Sequence, residues 1–555
     1  MQTQRRSAIL TLGLFALAAG FWAIPSAGAR ADEPRKELKA GIIGLDTSHA
    51  IAFTSLLNGA GVPEDLAGCR IVAAYPKGSP DIESSTLRVP GYIEQVVKMN
   101  VEIVDSIPAL LEKVDVVFLE TNDGRPHLEQ LIPVLKAGKP CFIDKPVAGS
   151  LTDAVAIYEL ARKYNVPVFT SSSLRYYEGV QDVRDGKVGK VQHAETFSPA
   201  SLEPTHPDLF WYGIHGVELL FATMGTGCVS ATRTISNADM DEVAGVWEND
   251  RSGIFRGYRA GKGGYGGTAK GTEGEAEFGS KGGYRELLVE IVKFFRTGVA
   301  PVGEEESLEI YAFMEAADES KRQGGKPVTL ASVMEKAHAE AESVIAENAP
   351  ADNKLTTYEE ANGWRLLFDG ESLDGWKCNN GKEVATPIEQ NSIVPYQSGG
   401  YLVIHEDQFS DFVFRCDVLM GDDCNSGVFF RIGDPNDPVQ TGIEAQVLSG
   451  TGTGMHDFGA LYDLVPIREN ATHGPGKWDT LEITCKGPLM SVAVNGVQVA
   501  SLNADEWVEP GVRPDGSAYK FTKALKDFPR KGYLGFQDHG HKVWFKNVKI
   551  LELAE

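Results

Sequence analysis

The spacing of apolar residues changes near residue 350, and this change constrains the fold more than any other feature. From about 38 to 170, short apolar runs alternate with segments whose apolar residues recur every three or four positions. That alternation is typical of a parallel sheet with helices on both faces. After about 360, apolar and polar residues alternate in strand-length runs separated by Gly, Asn, Asp and Pro. We therefore expect an α/β module followed by an all-β sandwich or jelly roll.

The region between these modules has its own pattern. From about 187 to 280 the runs are longer, β-like and separated by glycine-rich loops, and two helices are expected near 284–297 and 304–321. A charged helix and Pro350 then precede a polar stretch. A chain of 555 residues is expected to form several domains. The predicted division is a Rossmann-like domain at 38–170, an α+β half at 171–345, a linker at 346–360 and the sandwich at 361–555.

The first residues resemble a targeting segment. A basic start, a short apolar run and A-x-A sites ending at Ala29 and Ala31 predict an export signal at 1–31, hence a periplasmic or secreted protein. A membrane anchor is the alternative, and it is disfavoured because glycines interrupt the apolar run from Ala8 to Pro25. The pair Arg5-Arg6 leaves a twin-arginine signal and an ordinary secretory signal both open.

Charge and cysteine content exclude some classes of function. The formal net charge of −24 argues against nucleic acid as a partner and against anionic membranes, so no membrane association is expected after signal cleavage. The seven cysteines form no C-x-x-C pair, so no zinc or redox motif is predicted. Cys416 and Cys424 could form a disulfide or remain buried thiols. Association into a homo-oligomer stays open.

The stretch "GIIGLDTSHA" (41–50) begins a nucleotide-binding type of βα unit. If Gly44 starts a G-x-G-x-x-G pattern, the second and third glycines are replaced by Asp46 and His49. A carboxylate then stands where a pyrophosphate is expected, and "DTS" also resembles a helix N-cap. The acid that would hold the ribose is missing after the second strand; Lys77 in that region would suit a 2′-phosphate.

Two further motifs carry a resemblance over about 38–345. Asp144-Lys145-Pro146 follows a predicted strand, and His215 lies in "WYGIH", which has Trp211 where the related motif has aspartate. With the glycine turn, these residues resemble the Gfo/Idh/MocA oxidoreductase family. The resemblance implies NAD or NADP, with Lys145 beside the nicotinamide and His215 as base. The implied cofactor-binding residues are Gly41, Gly44, Lys77, Asn122, Lys145 and Pro146. The altered loop leaves two alternatives: a working nicotinamide enzyme or a pseudo-enzyme scaffold.

In the second module, alternation separates two faces of each strand. Core-facing positions are predicted at Val428, Phe430, Ile432, Ile443, Ala445, Val447, Leu534 and Phe536. The opposite face carries Phe429, Arg431, Glu444, Gln446, Gln537 and His539. Such residues beside an aromatic ring are typical of a sugar groove, to which Tyr462 and Asp463 would add from a loop.

Ordered motifs over about 355–553, opening with "GWRLLFDGESLDGWK", resemble the 3-keto-disaccharide (3-keto-glucoside) hydrolase domain family. The resemblance implies a concanavalin/glucanase-like jelly-roll sandwich and a keto-sugar or glycoside substrate. A ketone at carbon 3 acidifies the proton on carbon 2, which Glu444 or His539 could remove while Arg431 stabilises the enolate. The expected substrate-binding residues are Phe429, Gln446, Tyr462, Asp463 and Gln537.

Other chemistries for this module also remain open. A divalent metal held by Glu444, Asp463 and His539 could stabilise the enolate instead. Direct hydrolysis by two carboxylates is disfavoured because no E-x-D-x-x-E strand is present. The combined expectation is an exported saccharide-processing protein in which the first module oxidises a sugar and the second cleaves the keto product. The alternative is a non-catalytic glycan-binding protein with a pseudo-oxidoreductase domain.

Overall fold

The computed structural model describes residues 37–261 and 263–554. In the first part, six short apolar strands form one parallel sheet in the order β3-β2-β1-β4-β5-β6. The strands are β1 Leu38–Ile43, β2 Cys69–Tyr75, β3 Glu102–Ile103, β4 Val116–Leu119, β5 Cys141–Ile143 and β6 Val168–Thr170. The connecting helices are α1 Ser48–Asn58, α2 Glu83–Lys98, α3 Ile107–Leu111, α4 His127–Lys136 and α5 Leu151–Tyr164. This order confirms the Rossmann-like prediction.

The next part is α+β, as predicted. A mixed sheet has the order β12-β11-β7-β10-β9-β8-β13. Its strands are β7 Val191–Pro199, β8 Cys228–Ser236, β9 Met240–Trp247, β10 Arg251–Tyr258, β11 Gly266–Gly271, β12 Glu275–Phe278 and β13 Val328–Thr329. The helices are a 3₁₀ turn at Ser173–Tyr176, α6 Val180–Arg184, α7 Ile214–Met224, α8 Arg285–Thr297, α9 Glu304–Arg322 and α10 Leu330–Asn348. Helix α7, which carries His215, lies within the region expected to be β-like.

The last part contains two antiparallel sheets that share one apolar core, which confirms the sandwich. The six-stranded sheet, in spatial order, contains β14 Arg365–Leu366, β24 Val543–Glu552, β17 Phe412–Met420, β20 Trp478–Lys486, β21 Leu489–Val494 and β22 Val497–Asn503. The five-stranded sheet contains β15 Trp376–Cys378, β16 Leu402–Phe409, β23 Gly532–Gln537, β18 Asn425–Ile432 and β19 Ile443–Leu448. Shorter helices are α11 Thr357–Ala361, α12 Pro438–Thr441, and 3₁₀ turns at Ala504–Glu506 and Leu525–Asp527.

Helix α11 lies between the two folds and is bonded to both. It begins with a capping box in which Thr356 and Glu359 satisfy each other's backbone N–H groups. The hydroxyl of Thr356 donates to the carbonyl of Tyr164 at 2.8 Å. On the other side, the Glu359 carboxylate, which is fully buried, pairs with Lys549 Nζ of the sandwich at 2.5 Å. The connection between the halves is therefore packed.

The structure decides the prediction for the cysteines, whereas the predicted export signal stays untested. All seven cysteines are free and buried, so the Cys416–Cys424 disulfide is wrong and the alternative of buried thiols is confirmed. The expected export signal at 1–31 lies outside the described residues. Among the residues that are described, no helix combines the length and apolar character needed to cross a membrane.

Candidate functional site

The carboxyl edge of the parallel sheet carries four buried ionisable side chains, which we call the edge cluster: His49, Glu120, Asp144 and Lys145. Glu120 follows β4, Asp144 and Lys145 follow β5, and His49 lies in the first turn of α1. Parallel strands present their carboxyl ends at one edge, where ligands of such sheets bind. Asp144 organises the cluster, since Oδ1 lies 2.9 Å from His49 Nδ1 and Oδ2 accepts from Lys145 Nζ at 3.2 Å.

Burial and mutual charge set the pKa values in the edge cluster. Burial raises the pKa of Glu120 well above its usual value, and the charge of Asp144 adds to this effect. Burial also lowers the pKa of His49. For Asp144, burial is outweighed by His49 and Lys145, which hold its pKa below the usual range. For Lys145, burial is outweighed by the charge and hydrogen bond of Asp144, so its pKa is raised. Asp144 and Lys145 are thus a charged pair beside a neutral imidazole.

Asp46 closes the glycine loop that would receive a pyrophosphate. Its side chain is fully buried, and its carboxylate accepts the backbone N–H of Asn122 at 2.9 Å and the hydroxyl of Ser85 at 2.7 Å. Thr47 caps α1 by accepting from the His49 N–H. Burial raises the pKa of Asp46 against the effect of the Ser85 and Asn122 hydrogen bonds.

The start of α1 is also covered from the second half of the module. The ring of Tyr284 meets the imidazole of His49 edge-on with 4.4 Å between centroids, and its hydroxyl lies 3.3 Å from Ser48 Oγ. A dinucleotide phosphate needs free N–H groups at this helix start. The buried carboxylate of Asp46, the Thr47 hydroxyl that accepts the His49 N–H and the ring of Tyr284 therefore make this helix start a poor fit for a pyrophosphate bound in the usual way.

His215 lies on α7, next to polar and aromatic groups. Its Nδ1 is 2.9 Å from Ser172 Oγ, and its ring meets Tyr212 and Tyr265 at centroid separations of 5.0 and 5.9 Å. Burial, with Lys145 and His49 nearby, holds its pKa well below the usual value. The two predicted catalytic residues of this module are therefore close enough for the charge of Lys145 to lower the pKa of His215. The lowered pKa favours the neutral imidazole of His215.

The other predicted cofactor residues have diverse environments. Gly44 is in the turn, with φ +89°, and a Cβ there would meet the backbone of Thr121. Lys77 is exposed and Pro146 follows a cis peptide bond. Gly41 lies inside β1, where a Cβ would fall 2.8 Å from Leu110, so close packing against α3 accounts for this glycine. The backbone N–H of Asn122 is likewise taken, by Asp46.

A second candidate site lies on the face of the five-stranded sheet opposite the core. We call it the outer-face cluster; its members are Tyr401, Glu444, Gln446, Tyr462, Lys520 and Gln537. The alternation on β19 confirms the predicted faces, because Ile443, Ala445 and Val447 belong to the core while Glu444 and Gln446 do not. The space for Glu444 depends on β18: a Cβ on Gly427 would fall 2.3 Å from Glu444 Oε1.

Glu444 is a carboxyl group poised to titrate near neutral pH. It is 5% exposed, and burial raises its pKa to about 7, although Lys520 opposes the rise. Lys520 Nζ lies 3.7 Å from Glu444 Oε2 and 4.6 Å from the centre of the Tyr462 ring. Burial also lowers the pKa of Lys520. Tyr462 is stacked with His456 at 4.6 Å.

Two amides beside Glu444 have acceptor atoms available. Gln537 Nε2 donates to Tyr401 Oη at 2.6 Å and Gln446 Nε2 donates to Asn425 Oδ1 at 3.1 Å. The oxygens of both amides, Oε1 of Gln446 and Oε1 of Gln537, are buried without a hydrogen-bond partner. Buried acceptors are normally satisfied, so these two invite hydroxyl donors from a ligand.

Arg431 does not join the outer-face cluster, which corrects the prediction that it stabilises an enolate there. The pairing of β18 with β23 shifts between Phe429 and Ile432, and Arg431 has φ +50°. This irregularity reverses the alternation, so Ile432, expected in the core, packs with Phe429 outside it. The guanidinium of Arg431 instead donates to the carbonyls of Ser410 and Gly487 and to Asp411.

Two more predicted residues have other surroundings. His539 is exposed in the turn after β23, which ends at Gln537, so it is not on the strand face expected for it. The Asp463 carboxylate accepts from Arg513 Nη2 at 2.9 Å and from the backbone N–H of Lys520 at 2.7 Å. Asp463 thus positions Lys520, and the set Glu444, Asp463 and His539 does not present three free donors to one metal ion.

The sequence reasoning missed three residues. Lys520 and Tyr401 reach the outer-face cluster from loops, and no strand periodicity marks them. Glu120 did leave a signal, because it is a charged residue directly after the apolar run of β4. A carboxylate at that edge is unusual unless it is paired or binds a ligand.

Comparison with known proteins finds similarity in two separate regions of the chain. Residues 39–172 match the model of the oxidoreductase family with an NAD-binding Rossmann fold, and residues 363–551 match that of the 3-keto-alpha-glucoside-1,2-lyase-like domain. A 3-keto-disaccharide hydrolase of Bacteroides thetaiotaomicron is 23% identical over 228 residues, covering 34% of this chain and 79% of that protein.

Solved structures resemble each half separately. A protein of Parabacteroides distasonis described as a glycosyl hydrolase is 28% identical, with a TM-score of 0.31, over 37% of this chain and 100% of its own. A scyllo-inositol dehydrogenase of Lactobacillus casei, solved with NAD(H) and scyllo-inositol, is 16% identical, with a TM-score of 0.43, over 53% of this chain and 100% of its own. The two family models therefore match separate regions, so that residues 39–172 are similar to the Gfo/Idh/MocA oxidoreductases and residues 363–551 to the 3-keto-alpha-glucoside-1,2-lyase-like domains.

Proposed function

We propose that the protein is an exported saccharide-processing enzyme whose sandwich cleaves 3-keto-glucosides, with Glu444 as the base. The observation that carries the proposal is the buried Glu444 carboxyl, whose pKa of about 7 suits proton transfer at neutral pH. The family match of residues 363–551 and the 3-keto-disaccharide hydrolase relative support the substrate class.

The proposed reaction has two balanced steps. Glu444 takes the proton from carbon 2; the C–H electrons form the carbon 1–carbon 2 double bond, and the bond from carbon 1 to the aglycone oxygen breaks. The aglycone leaves with a proton from the solvent. Water then adds its oxygen to carbon 1 and releases one proton to the solvent, which replaces the proton taken by the aglycone. Glu444, after exchange of its proton with the solvent, protonates carbon 2, which yields 3-keto-glucose. The 3-keto-glucose and the aglycone together contain the atoms of the substrate plus one water, and no oxidant is consumed.

Other members of the outer-face cluster have supporting roles in this reaction. The Lys520 ammonium, 3.7 Å from Glu444, stabilises the negative charge that develops on the carbon 3 oxygen, the role first expected of Arg431. The open acceptors of Gln446 and Gln537 bind sugar hydroxyls, and Tyr462 offers a ring for the sugar face. Asp463 holds the Lys520 backbone in place.

The test is turnover of a keto-sugar by the full chain. Incubation with 3-keto-trehalose or 3-keto-lactose should release free 3-keto-glucose, detected by mass spectrometry. Release in deuterium oxide should incorporate one deuterium at carbon 2. Absence of product from the wild-type protein would overturn the proposal and favour a glycan-binding sandwich without turnover.

For the first half, the competing functions are a sugar oxidoreductase using NAD or NADP and a scaffold that no longer binds the dinucleotide. The placement of Lys145 near His215 favours the first. The buried Asp46 carboxylate, which holds the N–H of Asn122 and the hydroxyl of Ser85, favours the second. We propose the second, because a buried carboxylate replaces the second glycine of the loop and the Thr47 hydroxyl takes the His49 N–H at the start of α1. Titration with NADH and NADPH tests this choice.

A further inference from the structure

The carboxylate of Glu120 is buried in the edge cluster and makes no hydrogen bond. Its side chain is fully buried, and neither carboxylate oxygen has a partner. A buried carboxylate without a partner is costly, so an ion or a proton must compensate for its charge. Its position at the end of β4 places it at the edge of the sheet where ligands of this fold bind.

The neighbours of Glu120 are the donors that metal ions use. One ligand atom from each of His49, Glu120 and Asp144 lies within 4.8 Å of the others, and all three residues are buried. Metal–ligand bonds of about 2.0–2.2 Å place ligand atoms roughly 3–4 Å apart around one ion. The 2.9 Å separation of His49 Nδ1 and Asp144 Oδ1 lies just below that range.

The charge around these donors is not balanced by protein groups. Asp144 and Asp46 both add negative charge around Glu120, and Lys145 is the cation that opposes them. Lys145 Nζ already donates to Asp144 Oδ2 at 3.2 Å, whereas neither carboxylate oxygen of Glu120 has a hydrogen-bond partner among the described residues. A divalent cation would supply the missing positive charge.

We propose that His49, Glu120 and Asp144 bind one divalent transition-metal ion of the Zn²⁺ or Mn²⁺ type. One imidazole and two carboxylates suit these ions, whereas an all-oxygen set would suit Mg²⁺ or Ca²⁺. Lys145 Nζ donates to Asp144 Oδ2, the oxygen that does not bind the ion, and this hydrogen bond orients the Asp144 carboxylate. The ion takes the place of the dinucleotide in this half and uses the histidine that replaces the third glycine of the loop.

The binding experiment uses the full chain after treatment with a chelator. Zn²⁺ and Mn²⁺ are titrated separately, with calorimetry for affinity and elemental analysis for the number of ions per chain. The wild-type protein should bind one equivalent of metal ion per chain, and Glu120→Gln should not bind this ion. The affinity loss should exceed about 100-fold, because even changes to outer-shell partners cost 10–100-fold. Glu129→Gln, which alters an exposed carboxylate on α4, is the control and should retain the ion.

Thermal unfolding separates loss of the site from loss of the fold. Glu120→Gln removes a buried charge at nearly constant volume, so its metal-free Tm should equal or exceed that of wild type. Zinc should raise the Tm of wild type and Glu129→Gln but not of Glu120→Gln. His49→Gln is a second variant, which should also fail to bind the metal ion.

Two results would overturn the proposal. One is a wild-type protein that takes up no ion, which would leave a proton on Glu120 as the balance of charge. The other is equal stoichiometry and affinity in wild type, Glu120→Gln and His49→Gln, which would place the metal elsewhere. Neither readout depends on keto-sugar cleavage, so the result is independent of the function proposed for the sandwich.

Discussion

Glu120 and Glu444 are both buried glutamates, and they differ in the groups that face them. Around Glu120 the neighbouring Asp144 and Asp46 add repulsion to burial while Lys145 opposes them, and its pKa is raised well above the usual value. Around Glu444 the nearest charge is the Lys520 ammonium at 3.7 Å, which opposes the effect of burial, and the pKa is about 7. Burial alone therefore does not make a base, because the balance of neighbouring charges decides whether a carboxyl group can transfer protons at neutral pH.

The largest expected effect is that of Glu444→Gln on turnover. Removing a general base should lower kcat by about 10²–10⁴-fold, since the amide cannot take the carbon 2 proton. Affinity for the keto-disaccharide should change little, because the amide retains the shape of the side chain. Product release measures kcat and calorimetry measures binding.

Glu406→Gln, which alters an exposed carboxylate on β16, is the matched control and should retain wild-type kcat. A fall in kcat of less than about tenfold in Glu444→Gln would be too small for the loss of a general base. That result would contradict the contrast between the two glutamates.

The pH profile tests the role of the neighbouring charge. The carboxylate is the active form of Glu444, so kcat/KM should rise with pH through about 7 and level off above it. Lys520→Met removes the cation that favours ionisation, so the midpoint should move to higher pH and activity at pH 7 should fall several-fold. A midpoint that stays in place or moves to lower pH would contradict the assignment.

Asp46→Gly tests whether the chain itself closes the dinucleotide site. Removing the carboxylate frees the N–H of Asn122, so NADH or NADPH should bind at least about tenfold more tightly, a gain of roughly 1.4 kcal/mol. Fluorescence of the reduced nicotinamide on titration measures the Kd. Asp46→Asn, which keeps the side-chain volume without the charge, should show a smaller gain. Tight NADH binding by wild type, unchanged in Asp46→Gly, would show that the loop is open.

The smallest expected effect on turnover is that of Arg431→Met. The guanidinium satisfies the carbonyls of Ser410 and Gly487 and pairs with Asp411, all away from the outer-face cluster. Its loss should lower the free energy of unfolding by about 2–4 kcal/mol while kcat per folded molecule stays at the wild-type value. Urea unfolding and active-site-normalised rates measure the two quantities. A loss of kcat at unchanged stability would restore Arg431 to the site.

Strand periodicity predicted the faces of regular strands and failed at irregular ones. On β19 the alternation placed Glu444 and Gln446 correctly, because the strand pairs with β18 without interruption there. On β18 the shift in pairing with β23 and the left-handed conformation of Arg431 reversed the alternation, and neither feature is written in the hydrophobic pattern. On β23 the strand ends at Gln537, so the face assigned to His539 does not exist.

The local sequence pattern did not predict which residues of distant loops contact the site. Lys520 reaches Glu444 from a segment 76 positions away, and Asp463 fixes its backbone by a hydrogen bond to a third segment. Glu120 is different, since its charge directly after an apolar strand could have been noticed. What could not be read from the sequence is that its two oxygens would find no protein partner, because that depends on the packing of three separate βα units.

The short helix α11 has a consequence for how the two halves unfold. Its buried Glu359 is tied to Lys549 of the sandwich, and Thr356 is tied to Tyr164 of the first fold. Opening either fold alone would leave one member of these buried pairs without its partner, at a cost comparable to that of a core substitution. We therefore expect the two halves to unfold cooperatively, with α11 as a connection that contacts within both folds stabilise.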